Sequence, residues 1–85
     1  MAFVYILRCG DGSLYTGAAK DLQARLRQHE TGRASRYTRG RLPVVLAWSR
    51  ELATWSQALR EECRIKRLRR GDKEALLTRI PAARG

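Results

Sequence analysis

Residues 2–8, Ala-Phe-Val-Tyr-Ile-Leu-Arg, are a run of apolar, β-branched and aromatic side chains, and Gly10-Asp11-Gly12 follows directly with turn chemistry. A second extended piece, Ser13 to Gly17, comes next, so the chain is committed to an N-terminal β-hairpin. Its register is open from these residues alone. A two-residue loop would put Tyr5 and Tyr15 on opposite faces, whereas an odd loop with Gly at a left-handed position would put them on one face.

Asp21 is a good N-cap for a helix running to about Glu30 and stopped at Gly32, with Leu22, Leu26 and His29 as its inward stripe. From Thr31 to Arg41 the pattern dissolves into Gly, Ser and Arg, which reads as an exposed basic loop. Pro43 opens a third strand, Val44 to Ser49. Thr54-x-x-Gln57 resembles a capping box and starts a second helix that ends at Gly71; Asp72 then caps a short third helix carrying Leu76, Leu77 and Ile80, closed by Pro81. The order β-β-α-β-α-α defines an α+β fold with a three-stranded, mainly antiparallel sheet flanked by helices.

At 85 residues one core is the ceiling, because a domain of this size buries only about 60–65% of the surface its unfolded chain exposes. Residues 1–80 are expected to form that single domain and 81–85 a short C-terminal tail. Eighteen Lys and Arg against eight Asp and Glu give a net charge of +10. Most of the cations are Arg, whose planar fork suits phosphate, so the charge points to a polyanionic partner. No apolar run approaches a membrane span and no signal peptide opens the chain, so a cytoplasmic protein is expected. Cys9 and Cys63 lack metal-ligand or disulfide spacing and are expected to be reduced, partly buried thiols. The single histidine, without a G-x-S-x-G elbow, gives no support to triad catalysis.

Some residues resist explanation by packing. On a helical wheel Trp55, Ala58, Leu59, Cys63 and Ile65 outline an apolar arc that contains Glu62 and Lys66 and leaves Glu61 pointing away. Glu62 and Lys66 read most simply as a surface i,i+4 pair. An inward carboxylate, however, costs several kcal/mol unless paired or metal-bound, which makes Glu62 a site candidate. His29 and Arg25 share a flank of the first helix one turn apart; a lone inward His is commonly a hydrogen-bonded core residue, but Arg25 beside it suggests phosphate chemistry. Two hairpin tyrosines are commonly a cross-strand aromatic pair. Gly17 is either strand-end punctuation or a place where backbone approaches a ligand, and Lys20 lies near a helix N-terminus that favours phosphate.

The order Phe3-Val4-Tyr5, Leu14-Tyr15-Thr16-Gly17, Lys20-Asp21-Leu22, Arg25 with His29, and Ala58-x-x-x-Glu62-x-x-x-Lys66 resembles the GIY-YIG nuclease superfamily, specifically its small single-domain bacterial members. The likeness covers residues 3–70. It implies that Tyr5 and Tyr15 share a sheet face, and hence an odd loop, that Arg25 contacts the scissile phosphate, and that Glu62 binds one Mg²⁺ or another divalent cation. Phe3 replaces the Gly of GIY, and Thr16 the Ile of YIG.

The expectation is therefore a nucleic-acid-binding endonuclease hydrolysing phosphodiester bonds with one divalent metal. Its catalytic set is Tyr5, Tyr15, Arg25, His29 and Glu62, with Glu62 as metal ligand, and Lys20, Arg33, Arg36, Arg39, Arg41 and Lys66 grip phosphates. A tyrosine, with an ordinary pKa near 10, could act as base only if Lys20, Arg25 or the metal lowers that value. A two-metal site would need several clustered carboxylates. DNA is favoured over RNA as substrate, and with no separate recognition domain either low sequence specificity or reliance on a protein partner is expected. The alternative is a non-catalytic nucleic-acid-binding module with a degenerate GIY-YIG site. A third reading, a basic subunit docking on an acidic protein, explains the Arg bias less well.

Overall fold

The computed structural model describes residues 1–78. Three strands, β1 (Ala2–Arg8), β2 (Leu14–Ala19) and β3 (Val45–Leu52), form one antiparallel sheet in the order β2-β1-β3. Because β1 is central and covered on both faces, Val4, Tyr5, Ile6 and Leu7 are all fully buried, which is why that stretch reads as an unbroken apolar run. Tyr5 pairs with Gly17 and Leu7 with Tyr15 across a loop of odd length, residues 9–13. Gly12 supplies the left-handed position with φ +86. Both tyrosines thus lie on one sheet face.

Helix α1 (Leu22–Glu30) starts where Asp21 accepts the Ala24 N–H and ends before Gly32, whose φ is +78. It packs Leu22 and Leu26 on the sheet face that carries Tyr5, Leu7, Cys9, Ala19 and Val44. The opposite face, with Val4, Ile6 and Ala18, is covered by α3 (Trp55–Lys66) and α4 (Arg70–Thr78) through Ala58, Ile65, Leu68, Leu76 and Leu77. A bidentate Arg8–Glu74 pair at 2.8 and 3.2 Å ties α4 to the hairpin.

The structure corrects several boundaries. Strand β2 runs on to Ala19, and β3 spans 45–52 rather than 44–49. The basic segment 31–41 is not all loop: Ser35 caps a one-turn helix, α2 (Arg36–Arg39), that sends Thr38 fully inside. The long helix expected to reach Gly71 stops at Lys66. There the N–H groups of Arg67 and Leu68 bond three residues back, and Leu68 turns into the core. Gly71 and Asp72 therefore sit in the first turn of α4 instead of ending one helix and capping the next. Cys9 is buried but Cys63 is exposed, so the expectation of two partly buried thiols fails for both. Ile80, Pro81 and the 81–85 tail lie outside the described residues.

Candidate active site

The Tyr5 phenol lies across the β1–β2 pair on Gly17, where a Cβ would come within 2.5 Å of its oxygen and 2.7 Å of the ring carbon bearing it. Gly17 lies within β2 and not at its end, and it makes room for the Tyr5 side chain. Tyr5 Oη meets His29 Nε2 at 2.9 Å, and His29 Nδ1 meets Thr38 Oγ1 at 2.8 Å. Since the Thr38 hydroxyl donates its proton to the Ser35 carbonyl at 3.3 Å, it must accept from Nδ1–H. Nε2 then carries the lone pair, and Tyr5 donates to it. The ring of Tyr15 meets the His29 ring edge-on at 5.2 Å, and Tyr37 stacks against Tyr15 at 5.7 Å.

Electrostatics link the remaining members. Burial pushes the Tyr5 phenol up to about 12, assisted by Tyr15 and Glu62, while Arg25 acts in the opposite direction without prevailing. Burial and the Arg25 charge hold His29 below its ordinary value, so the imidazole is neutral and suited to accept. The condition set for a tyrosine base, a lowered pKa, is not met at Tyr5 in this substrate-free chain. Glu62 comes from α3 on the other sheet face, yet its charge acts on the Tyr5 phenol beside the edge strand β2. Its Oε2 receives Lys66 Nζ at 2.9 Å, and that hydrogen bond raises the Lys66 pKa.

Tyr5, Tyr15, Arg25, His29 and Glu62 are therefore neighbours, in two tiers. Tyr5 and His29 are buried, and Tyr15, Arg25 and Glu62 are partly exposed. Lys66 belongs to the cluster through Glu62. Lys20 stands to one side, its ammonium 5.5 Å from the centroid of the Trp55 ring, in a groove shared with Arg25. Arg33, Arg36 and Arg39 are exposed. Arg41 is engaged within the fold: it bonds Asp11 at 3.0 Å, stacks on Tyr37 at 3.9 Å, and its carbonyl accepts the Gly10 N–H. Phe3 shares the Tyr5 face two residues on, near Lys20 and Leu22, and leaves the Tyr5–His29 contact intact.

The helical wheel misplaced the inward arc of α3. Its buried residues are Ala58 and Ile65, and Trp55, Leu59 and Cys63 are exposed. Glu61 and Glu62 then flank the true inward direction by about 50° each. Glu61 does not point away: with its side chain 14% exposed it bonds Arg50 and Arg64, against 19% for Glu62. Thr38 and Tyr37 went unnoticed in the sequence, since neither belongs to a periodic stripe. Their only signal is the capping residue Ser35.

Among the described residues no three His, Cys, Asp or Glu side chains gather. A closed metal cage is thus unavailable there. A hard divalent cation, however, is commonly held by one or two carboxylates with water and substrate phosphate oxygens, and the lone partly exposed Glu62 carboxylate fits that mode.

The GIY-YIG catalytic domain matches residues 1–75, and the chain belongs to that family. Its relatives include a UPF0213 protein of Halobacterium salinarum, 46% identical over 89% of this chain and 99% of its own length. Another, from Oceanobacillus iheyensis, is 48% identical over 88% of this chain and 87% of its own. The solution NMR structure of a UPF0213 protein from Bacillus halodurans superimposes with a TM-score of 0.60 at 40% identity, covering 92% of this chain and 84% of that one. The family points to an endonuclease-like function on nucleic acid. No helix of the described residues is long and apolar enough to cross a membrane.

Proposed function

We propose that this protein is a metal-dependent endonuclease that hydrolyses phosphodiester bonds, preferring DNA to RNA. The observation that supports this most is the clustering of Arg25 and Glu62 around a tyrosine already hydrogen-bonded to a neutral histidine. Arg25 binds the scissile phosphate and stabilises the charge that grows on its oxygens. Glu62 holds a divalent cation, Mg²⁺ or similar, which when bound supplies Lewis-acid polarisation of a phosphate oxygen. Lys66 stays within reach of the same carboxylate.

Because Tyr5 holds its proton until about 12, free phenolate is not the base at neutral pH. Instead, once substrate binding admits a water to the buried Oη, Tyr5 takes that water's proton as its own passes to His29 Nε2, the atom that already accepts its hydrogen bond. Thr38 fixes the tautomer that permits this. Tyr15, partly exposed and packed on the His29 edge, orients the water from the open side. The exposed Arg33, Arg36, Arg39 and Lys20 hold flanking phosphates.

The test is a nicking time course on supercoiled DNA with and without Mg²⁺, for the parent and for Glu62→Gln. Metal-dependent nicking lost in the variant is the expected result. A variant that cuts as fast as the parent removes Glu62 from the mechanism, and a parent that binds but never cuts favours a binding module with an idle site.

A further inference from the structure

An open groove of about 380 Å³ runs between the start of α1 and the start of α3. It is lined by Ala19, Ala24, Arg25, Gln28, Lys20 and Trp55, and by Asp21, whose carboxylate accepts the Ala24 N–H. Trp55 is the first residue of α3, held there by the Thr54 cap, which accepts the Gln57 N–H, and by Gln57 Oε1, which accepts the Ala53 N–H. Trp55 is 36% exposed, whereas Trp48 packs against the core. A singly exposed tryptophan needs no explanation by itself. This one lines the same groove as the arginine proposed to grip the scissile phosphate.

The chemistry of the walls selects the occupant. An exposed indole offers a flat face to any nucleobase, Gln28 in the same lining offers an amide donor and acceptor for a base edge, and Lys20 offers a cation for a phosphate. At present Lys20 occupies the indole at 5.5 Å, near the outer limit for a cation–π contact, so the ammonium is held weakly and is readily exchanged for a stacked ring. A base inside a duplex already has both faces covered by its neighbours, so only an unpaired base can use the tryptophan.

We infer that this groove is a subsite for one unpaired nucleotide next to the scissile phosphate, with its base stacked on Trp55, its edge read by Gln28 and its phosphate met by Lys20. The inference rests on the proposed nucleic-acid function and narrows it. The substrate class becomes single-stranded nucleic acid or a duplex with an extruded nucleotide.

Binding without divalent cations tests this apart from cleavage. Anisotropy titrations use one labelled oligonucleotide as a single strand, as a duplex with one bulged nucleotide, and as a fully paired duplex. Trp55→Ala is expected to weaken single-strand and bulged-duplex binding by roughly 5- to 150-fold, the range of one base–aromatic stack, and to change paired-duplex binding by less than about twofold. Trp55→Phe, which keeps a ring, is expected to recover most of the loss. Since misfolding would weaken all three substrates together, an equal loss on the paired duplex overturns the subsite, as does a Trp55→Ala protein that binds single strands like the parent. In those cases parental affinity still stands and the wider function survives. A parent that binds none of the three sinks both.

Discussion

Replacing Gly17 by alanine adds a single carbon beneath Tyr5, and the structure specifies what it would strike. The new Cβ would lie 2.5 Å from Tyr5 Oη and 2.7 Å from the ring carbon that bears it, distances that real Cβ atoms do not occupy. Gly17 lies in β2, in ordinary strand backbone, so the backbone alone would accept alanine. The phenol has little freedom to retreat, being fully buried and hydrogen-bonded to His29. Overpacking of this kind costs about 1–3 kcal/mol. Pulling Oη from Nε2 adds about 1 kcal/mol for the lost buried hydrogen bond. The reduced freedom of the unfolded chain returns roughly 0.4–1 kcal/mol. The net destabilisation is therefore about 1–4 kcal/mol, which for a domain this small lowers the melting temperature by about 5–25 °C. Thermal melting, with urea titration at constant m, measures it. Gly40→Ala is the control, since its Cβ would meet nothing within 4 Å and its φ is −84. In a Tyr5→Phe background the closest contact disappears, so the Gly17→Ala penalty should shrink, the non-additivity expected of touching residues. A Gly17→Ala protein that melts with the Gly40→Ala control would refute the packing of Tyr5 on Gly17.

Affinity for DNA should fall steeply as salt rises, because an arginine-rich surface releases counterions on binding; an affinity unchanged from low to physiological salt would exclude phosphate binding. Glu62→Gln should change stability by less than about 1 kcal/mol, since its Lys66 partner is 53% exposed and can turn to water, while the gain in melting temperature with added Mg²⁺ should vanish. An equal Mg²⁺ gain in parent and variant would place the cation elsewhere. His29 is depressed below 6.5 by burial and by Arg25, so the unfolded chain takes up a proton that the folded chain refuses. Its stabilising contribution is complete above pH 6.5 and is lost as pH falls through the lower folded value, and His29→Asn should flatten that part of a melting-versus-pH curve. An unchanged slope in the variant would assign the effect to other groups.

Legibility in the sequence followed the strength of local signals. The hairpin, the first helix and its Asp21 and Gly32 boundaries were readable because side-chain chemistry at those positions acts on the adjacent backbone. The register of the hairpin was different in kind. Turn residues permitted either parity, and the shared face of Tyr5 and Tyr15 came from the family resemblance, which the pairing of Tyr5 with Gly17 bears out. The end of α3 was misjudged because Gly71 looked like a terminator. In fact the decisive event, Leu68 turning in to join Val4, Ile6 and Ile65, depends on a sheet that local patterning does not contain.

The same reason explains why the α3 wheel erred by about a quarter of a turn in the one place where it mattered. A helix with two adjacent glutamates and few strong apolar residues has a broad, shallow preference, and the phase was assigned to Trp55, Leu59 and Cys63, the residues that look most hydrophobic. The sheet instead took the small Ala58 and the branched Ile65, whose shapes fit between Ala2, Ala18, Val4 and Ile6. That choice turned Glu61 toward Arg50 and left Glu62 beside the tyrosines. It also released Trp55 to the groove. An exposed tryptophan and a half-buried glutamate are thus two results of one packing decision. Thr38 is the counterpart on the other face: a polar residue in a basic stretch, without periodic neighbours, whose position becomes meaningful only when α1 presents His29 to it.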